Sequence, residues 1–184
     1  MSILNEEVVR QTFEISDTDS NRYLAAPTIT SLTLVSNWSS AAEESLKHAV
    51  NKLVELNPIL TGKLIQNPKG INIQVVSGEH FDLFDVIDGP SSFVLPKDVY
   101  GRIKALHTHI EPCFDVLGLP IEQLATGSRL FGVSVCRLPD SHACYLIQLS
   151  HMIGDGATYY MLLGQLQDLI QGKNVETIPK FKCI

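Results

Sequence analysis

The sequence predicts a layered α/β (α+β) protein in which a mixed, largely antiparallel sheet is covered by helices. Three observations lead there. Of 184 residues, 45% are hydrophobic and 18% charged, enough apolar side chain to offset the entropy of ordering. β-rich runs alternate with helical stripes, with no internal repeat and no Gly/Ser-rich linker, so 1–184 is expected to form a single unit with 172–184 as its tail. Four of the β-rich runs come in pairs joined by turn residues, which is how antiparallel strands are connected.

The elements follow in order. Thr28 to Val35 is rich in Thr, Ile, Leu and Val and reads as a strand. Ser40-Ala41-Ala42-Glu43 has the spacing of a capping box, and behind it Leu46, Ala49, Val50, Leu53 and Val54 form one helical stripe. That helix should stop before Pro58. Ile59 to Gln66 and Ile71 to Val76 flank Asn67-Pro68-Lys69-Gly70, a hairpin signal with Ile71, Ile73 and Val75 alternating. Between 81 and 128 a helix is expected near Asp98 to Ile110, among loops that hold Pro90, Pro96, Pro112 and Pro120. Leu130 to Leu138 and Ala143 to Leu149 form a second hairpin across Pro139-Asp140-Ser141. The period then changes to a stripe of Tyr159, Leu162, Leu163, Leu166, Leu169 and Ile170, which Gly172 should cap. No element is expected after Lys173.

Composition also excludes classes of function. Fourteen basic residues against twenty acidic ones give a formal charge of −6, which is no footprint for nucleic acid. No apolar run has the length of a membrane span, and the start Met-Ser-Ile-Leu-Asn-Glu-Glu lacks the features of a signal peptide. The cytosol is the expected compartment. Cys113, Cys136, Cys144 and Cys183 are widely spaced, so four free thiols are expected and no zinc clip.

The chemistry concentrates at Ser150-His151-Met152-Ile153-Gly154-Asp155-Gly156. A histidine at a strand end titrates near pH ~6.5 and can take a proton from a hydroxyl, amine or thiol. Gly154 and Gly156 suggest a tight turn with unusual backbone angles, and Asp155 can fold back to orient the imidazole or brace the loop. The residues alone equally allow a turn histidine satisfied by its neighbours. Other constellations are weaker. Gly132-Val133-Ser134-Val135-Cys136 lacks the last glycine of a nucleophile elbow, and His107-Thr108-His109 has no third ligand for a metal, so no metal is expected. Trp38 reads as a core residue.

The His151 stretch resembles the His-x-x-x-Asp-Gly signature of the chloramphenicol acetyltransferase-like acyltransferases, a superfamily that includes peptide-synthetase condensation domains, fungal alcohol acetyltransferases and plant-type BAHD enzymes. The motif lies between a hairpin and an apolar helix, as it does in that family. Asn57 to Leu64 is similar to the Pro-Leu-Ala-Gly-Arg-Leu stretch of BAHD-type enzymes, and about ninety residues separate it from His151. The resemblance implies one lobe, the N-terminal one, of that fold. It implies that His151 is the general base for acyl transfer from an acyl thioester, acyl-CoA, to a small alcohol or amine, with no resident cofactor. Asp155 would then hold the loop, and Gly156 would let ligand approach the backbone closely. Ser150 stands where condensation domains carry a second histidine, and the Asp-Phe-Gly-Trp-Gly stretch of the second BAHD lobe is absent. The implied site is completed either by a missing second lobe or across a homotrimer, as in chloramphenicol acetyltransferase itself, with 172–184 as the start of a crossover linker in the first case. A non-catalytic binding or assembly module, or a fragment of a two-lobed enzyme, is the alternative.

Overall fold

The computed structural model describes residues 9–15, 23–76 and 82–178. Its elements are β1 (Val9–Glu14), β2 (Ile29–Ser36), α1 (Ser40–Leu56), β3 (Lys63–Asn67), β4 (Gly70–Val76), β5 (Phe84–Asp88), α2 (Val99–Ala105), α3 (Pro120–Thr126), β6 (Phe131–Leu138), β7 (His142–Leu149) and α4 (Gly156–Ile170). The larger sheet runs β2-β7-β6-β5 and is antiparallel except at β5–β6. A smaller antiparallel sheet runs β1-β4-β3. The layered, largely antiparallel architecture is the one expected.

Both faces of the larger sheet are covered, so β6 reads as a nearly continuous apolar run with residues 131–136 all buried. Phe131, Val133 and Val135 face one way and join Leu46, Leu53, Leu149, Tyr159 and Leu162 in the main core under α1 and α4. Cys136 and Leu138 face the other way and pack with Leu106, Ile110 and Phe114, in and just beyond a π turn that continues α2. Pleat alternation makes the three layers. The β6–β7 hairpin is closed by Asp140 and Ser141, at φ 57° and 58°, the left-handed pair that a type I′ turn needs. In the β3–β4 hairpin Ile71, Ile73 and Val75 are buried as expected.

Several expectations need correction. The capping box at Ser40 and Glu43 does not form. Ser39 is the N-cap, its hydroxyl accepting from the Ala42 amide at 3.2 Å. Glu43 turns instead to Arg137 on β6, with bidentate contacts of 2.7 and 2.8 Å, and accepts from Trp38 Nε1 at 3.4 Å. A mostly buried carboxylate gains more from a guanidinium fork than from a helix-end amide. The Arg137 hydrogen bonds hold the Glu43 carboxyl below its ordinary range. Ile59 to Thr61 is a 3-10 turn, because Pro58 favours the first position of a helical turn, and the strand starts only at Lys63. Strands β1 and β5 and the seven-residue α3 were not anticipated; each is short, and the two strands mix charge into the pattern. Trp38 is only partly buried at the core edge. Gly172, at φ 71°, ends α4 as expected. Residues 173–178 carry no element, while Cys183 and the rest of 179–184 lie outside the described residues.

Candidate active site

Strand β7 ends at Leu149, and α4 begins at Gly156. Ser150, Met152 and Ile153 are buried in between, and this drive to bury its neighbours leaves His151 half-buried at the surface of the turn. The turn is pinned on several sides. The Ser150 amide donates to Leu130 O at 2.8 Å, and its hydroxyl donates to Gln123 Oε1 at 2.7 Å. Gln123 is itself fully buried on α3, and its amide nitrogen donates to Arg129 O at 3.4 Å. On the α4 side Asp155 is the N-cap, its Oδ1 accepting from both the amide and the hydroxyl of Thr158 at 2.9 Å.

The imidazole of His151 lies parallel to the ring of Tyr23, with centroids 5.5 Å apart and 1° between planes. That is an offset stack, the arrangement that ring quadrupoles favour. Its Nδ1 is buried and has no hydrogen-bond partner among the described residues. Burial lowers the His151 pKa below the ordinary value, while the negative charge of Asp155 acts in the opposite sense. The neutral ring, which can accept a proton, is thereby the favoured form near neutral pH.

Tyr23 reaches this position through a second set of fixings. Its carbonyl accepts from the Ala26 amide, and the next carbonyl, of Leu24, accepts from the Ile121 amide, each at 3.0 Å. Thr28 Oγ1 lies within 3.3 Å of the Leu117 and Gly118 carbonyls. Fully buried Gln148 on β7 ties the same loop to the sheet, accepting from Leu117 N at 2.8 Å and donating to Asp115 O at 3.0 Å. A groove of about 400 Å³ opens beside this loop, lined by Pro27, Thr28, Val116, Leu117, Leu119 and Leu146 among others. A second, of about 370 Å³, runs between β3 and α3. Neither is lined by His151.

The structure therefore brings His151, Asp155 and Gly156 into one turn but changes the part its glycines play. Neither Gly154 nor Gly156 has positive φ, so unusual backbone angles are not what the turn requires. Gly154 is needed for space: a Cβ there would stand 2.5 Å from Thr158 Cβ and Cγ2. A Cβ on Gly156 would meet nothing within 4 Å. Sequence reasoning missed Tyr23, Gln123 and Gln148. Gln148 left a signal, a polar residue inside a doubly buried strand that must find partners; Tyr23 left none. His107 is exposed in the π turn and pairs with Glu111 at 2.5 Å, and no metal-binding group of three occurs among the described residues. Ser134 is buried within β6 rather than on a turn, so it forms no nucleophile elbow.

No protein-family model matches the sequence, and no curated protein matches it. Solved structures do. TRI101 from F. graminearum, complexed with coenzyme A and deoxynivalenol, has a TM-score of 0.67 at 13% identity over 90% of this chain and 39% of that one. TRI101 from F. sporotrichioides, complexed with coenzyme A and T-2, also has a TM-score of 0.67, at 11% identity over 90% and 42%. SgcC5 from Streptomyces globisporus has a TM-score of 0.57 at 16% identity over 85% and 34%. The chain thus has the fold of one lobe of these larger proteins and spans 34–42% of their length.

Proposed function

We propose that the chain is one lobe of an acyltransferase that moves an acyl group from acyl-CoA to a small alcohol or amine, with His151 as general base. The observation that carries this reading is the half-buried imidazole on a turn pinned by Ser150 and by the Asp155 cap, where burial favours the neutral ring. The acceptor proton passes to the ring as the acceptor oxygen or nitrogen attacks the thioester carbonyl. The tetrahedral intermediate collapses, the carbon–sulfur bond breaks, and the leaving thiolate takes the proton back from the imidazolium. Such a base contributes about 10²–10⁴-fold in rate. Asp155 supports the site by fixing the start of α4, and Gly156 leaves its mouth open. Structures of the same fold that hold coenzyme A support the choice of donor.

His151 is only half-buried in this chain, which spans 34–42% of the length of the structures it resembles, so alignment of donor and acceptor in a water-poor channel calls for a further surface. That surface is a second lobe or, in a homotrimer, a neighbouring copy. The same observation favours the second reading, a lobe that binds or assembles without turnover. Purified protein is offered acetyl-CoA with mixed alcohols and amines, thiol release is followed, and sedimentation is run beside it. The acyltransferase reading expects turnover in an oligomeric form and its loss in His151→Ala. Equal thiol release by the variant would refute the base assignment.

A further inference from the structure

We infer that Tyr23 is the positioning residue for His151: its ring fixes the plane of the imidazole and shields one face from water, leaving the other side of the ring to meet the acceptor. The inference rests on the reading of His151 as the base. It follows from two observations and from what a general base requires. The two rings are parallel within 1° at a centroid separation of 5.5 Å, which is attractive beyond area burial alone. The ring nitrogen Nδ1 is buried without a hydrogen-bond partner among the described residues, so no hydrogen bond at that atom fixes the plane of the ring. A general base whose ring could turn freely about χ2 would spread its lone pair over many directions, and a misplacement of about 1 Å can cost ~10²-fold in rate. The stack supplies a constraint that no hydrogen bond at Nδ1 provides.

The segment that delivers Tyr23 is built to hold it. Leu24 O is bonded to Ile121 at the start of α3, and Thr28 Oγ1 to the Leu117–Gly118 carbonyls. Gln148 ties that loop to β7, three residues before His151, while Gln123 on α3 holds Ser150 directly. Both amides are fully buried. The histidine and the tyrosine are therefore referenced to the same two elements, β7 and α3, from opposite sides, so their relative placement does not depend on a long flexible path. Asp155, from the α4 N-terminus, favours the protonated form of the imidazole, and burial of the ring opposes it; we assign part of that burial to the stacked Tyr23 ring.

The test reads the imidazole itself, independently of turnover. In histidine-labelled protein, the His151 ring protons should show an upfield ring-current displacement and cross-relaxation to the Tyr23 ring, and should titrate below an ordinary histidine. Tyr23→Leu should abolish the displacement and raise the His151 titration midpoint towards the ordinary value; Tyr23→Phe should preserve both. In the thiol-release assay with acetyl-CoA, Tyr23→Leu should lower kcat by about 10–100-fold with KM for the donor within about twofold. Unchanged His151 shifts and titration in Tyr23→Leu overturn the inference, as does wild-type protein without the ring-to-ring contact, a result that needs no variant to fold. If the spectroscopic effects appear but His151→Ala releases thiol like wild type, the positioning stands and the general-base reading falls.

Discussion

Substituting each glycine of the His151 turn by alanine in turn should give stability changes of opposite sign. At Gly154 the new Cβ would lie 2.5 Å from Thr158 Cβ and Cγ2 and 2.8 Å from its Oγ1. Thr158 cannot rotate away: its Cβ is set by the backbone of α4, its side chain is buried, and both its amide and its hydroxyl are bonded to Asp155. The first turn of α4 must therefore move relative to His151, an overpacking that costs about 1–3 kcal/mol. At Gly156 the Cβ meets nothing and φ is not positive, while the residue is the first of the helix. Alanine there restricts the unfolded chain without strain and should stabilise by about 0.4–1 kcal/mol. Thermal melts and urea titrations should show Gly154→Ala melting several degrees lower and Gly156→Ala about 1–4 °C higher, since 1 kcal/mol moves the Tm of a domain this size by ~2–4 °C. Thiol release should fall with Gly154→Ala, whose histidine is displaced. Equal destabilisation by the two substitutions would refute the argument, because it would mean that backbone freedom, not space beside Thr158, is what the glycines supply. A stabilised Gly156→Ala that loses turnover would place a ligand against that open face.

Asp155→Asn keeps a side-chain oxygen for the helix cap and should stay within about 1 kcal/mol of wild type, whereas Asp155→Ala should cost about 1–2 kcal/mol in chemical denaturation. The same Asn variant removes the charge that raises the His151 pKa, so the NMR midpoint of His151 should fall further. Because the folded-state pKa of His151 is depressed, the unfolded chain binds more protons below the ordinary histidine value, so stability should rise with pH there and be lost as pH falls towards the folded pKa. His151→Gln should flatten that part of the stability–pH curve, and a slope identical to wild type would rule out this linkage. Burial pushes the Cys136 thiol up to about 11 and that of Cys144 to about 12. In native protein at pH 8, mass spectrometry after alkylation should find exposed Cys113 modified and Cys136 and Cys144 protected until denaturant is added.

What the sequence determined by itself is what local chemistry encodes. The period-2 run of Ile71, Ile73 and Val75, the stripe from Leu46 to Leu53 and the turn residues at 139–141 each act within a few positions, so strands, helix and hairpin follow from spacing alone. The position of His151 between a strand and an apolar helix was legible for the same reason. Tertiary structure decided everything that depends on a partner far along the chain. Glu43 had the local spacing for a helix cap, but Arg137, brought opposite by the sheet, offered a better-paired site, and the cap passed to Ser39. Ser150 and Gln148 find their partners on α3 and in the 115–118 loop. The glycines suggested unusual backbone angles, yet only the packing of Thr158 shows that one is a space requirement and the other is not. The Tyr23 ring meets His151 because two buried glutamines hold separate loops against one sheet end, and no periodicity carries that information. Spacing along the chain specifies which face a residue takes; what stands against that face is set when the layers close.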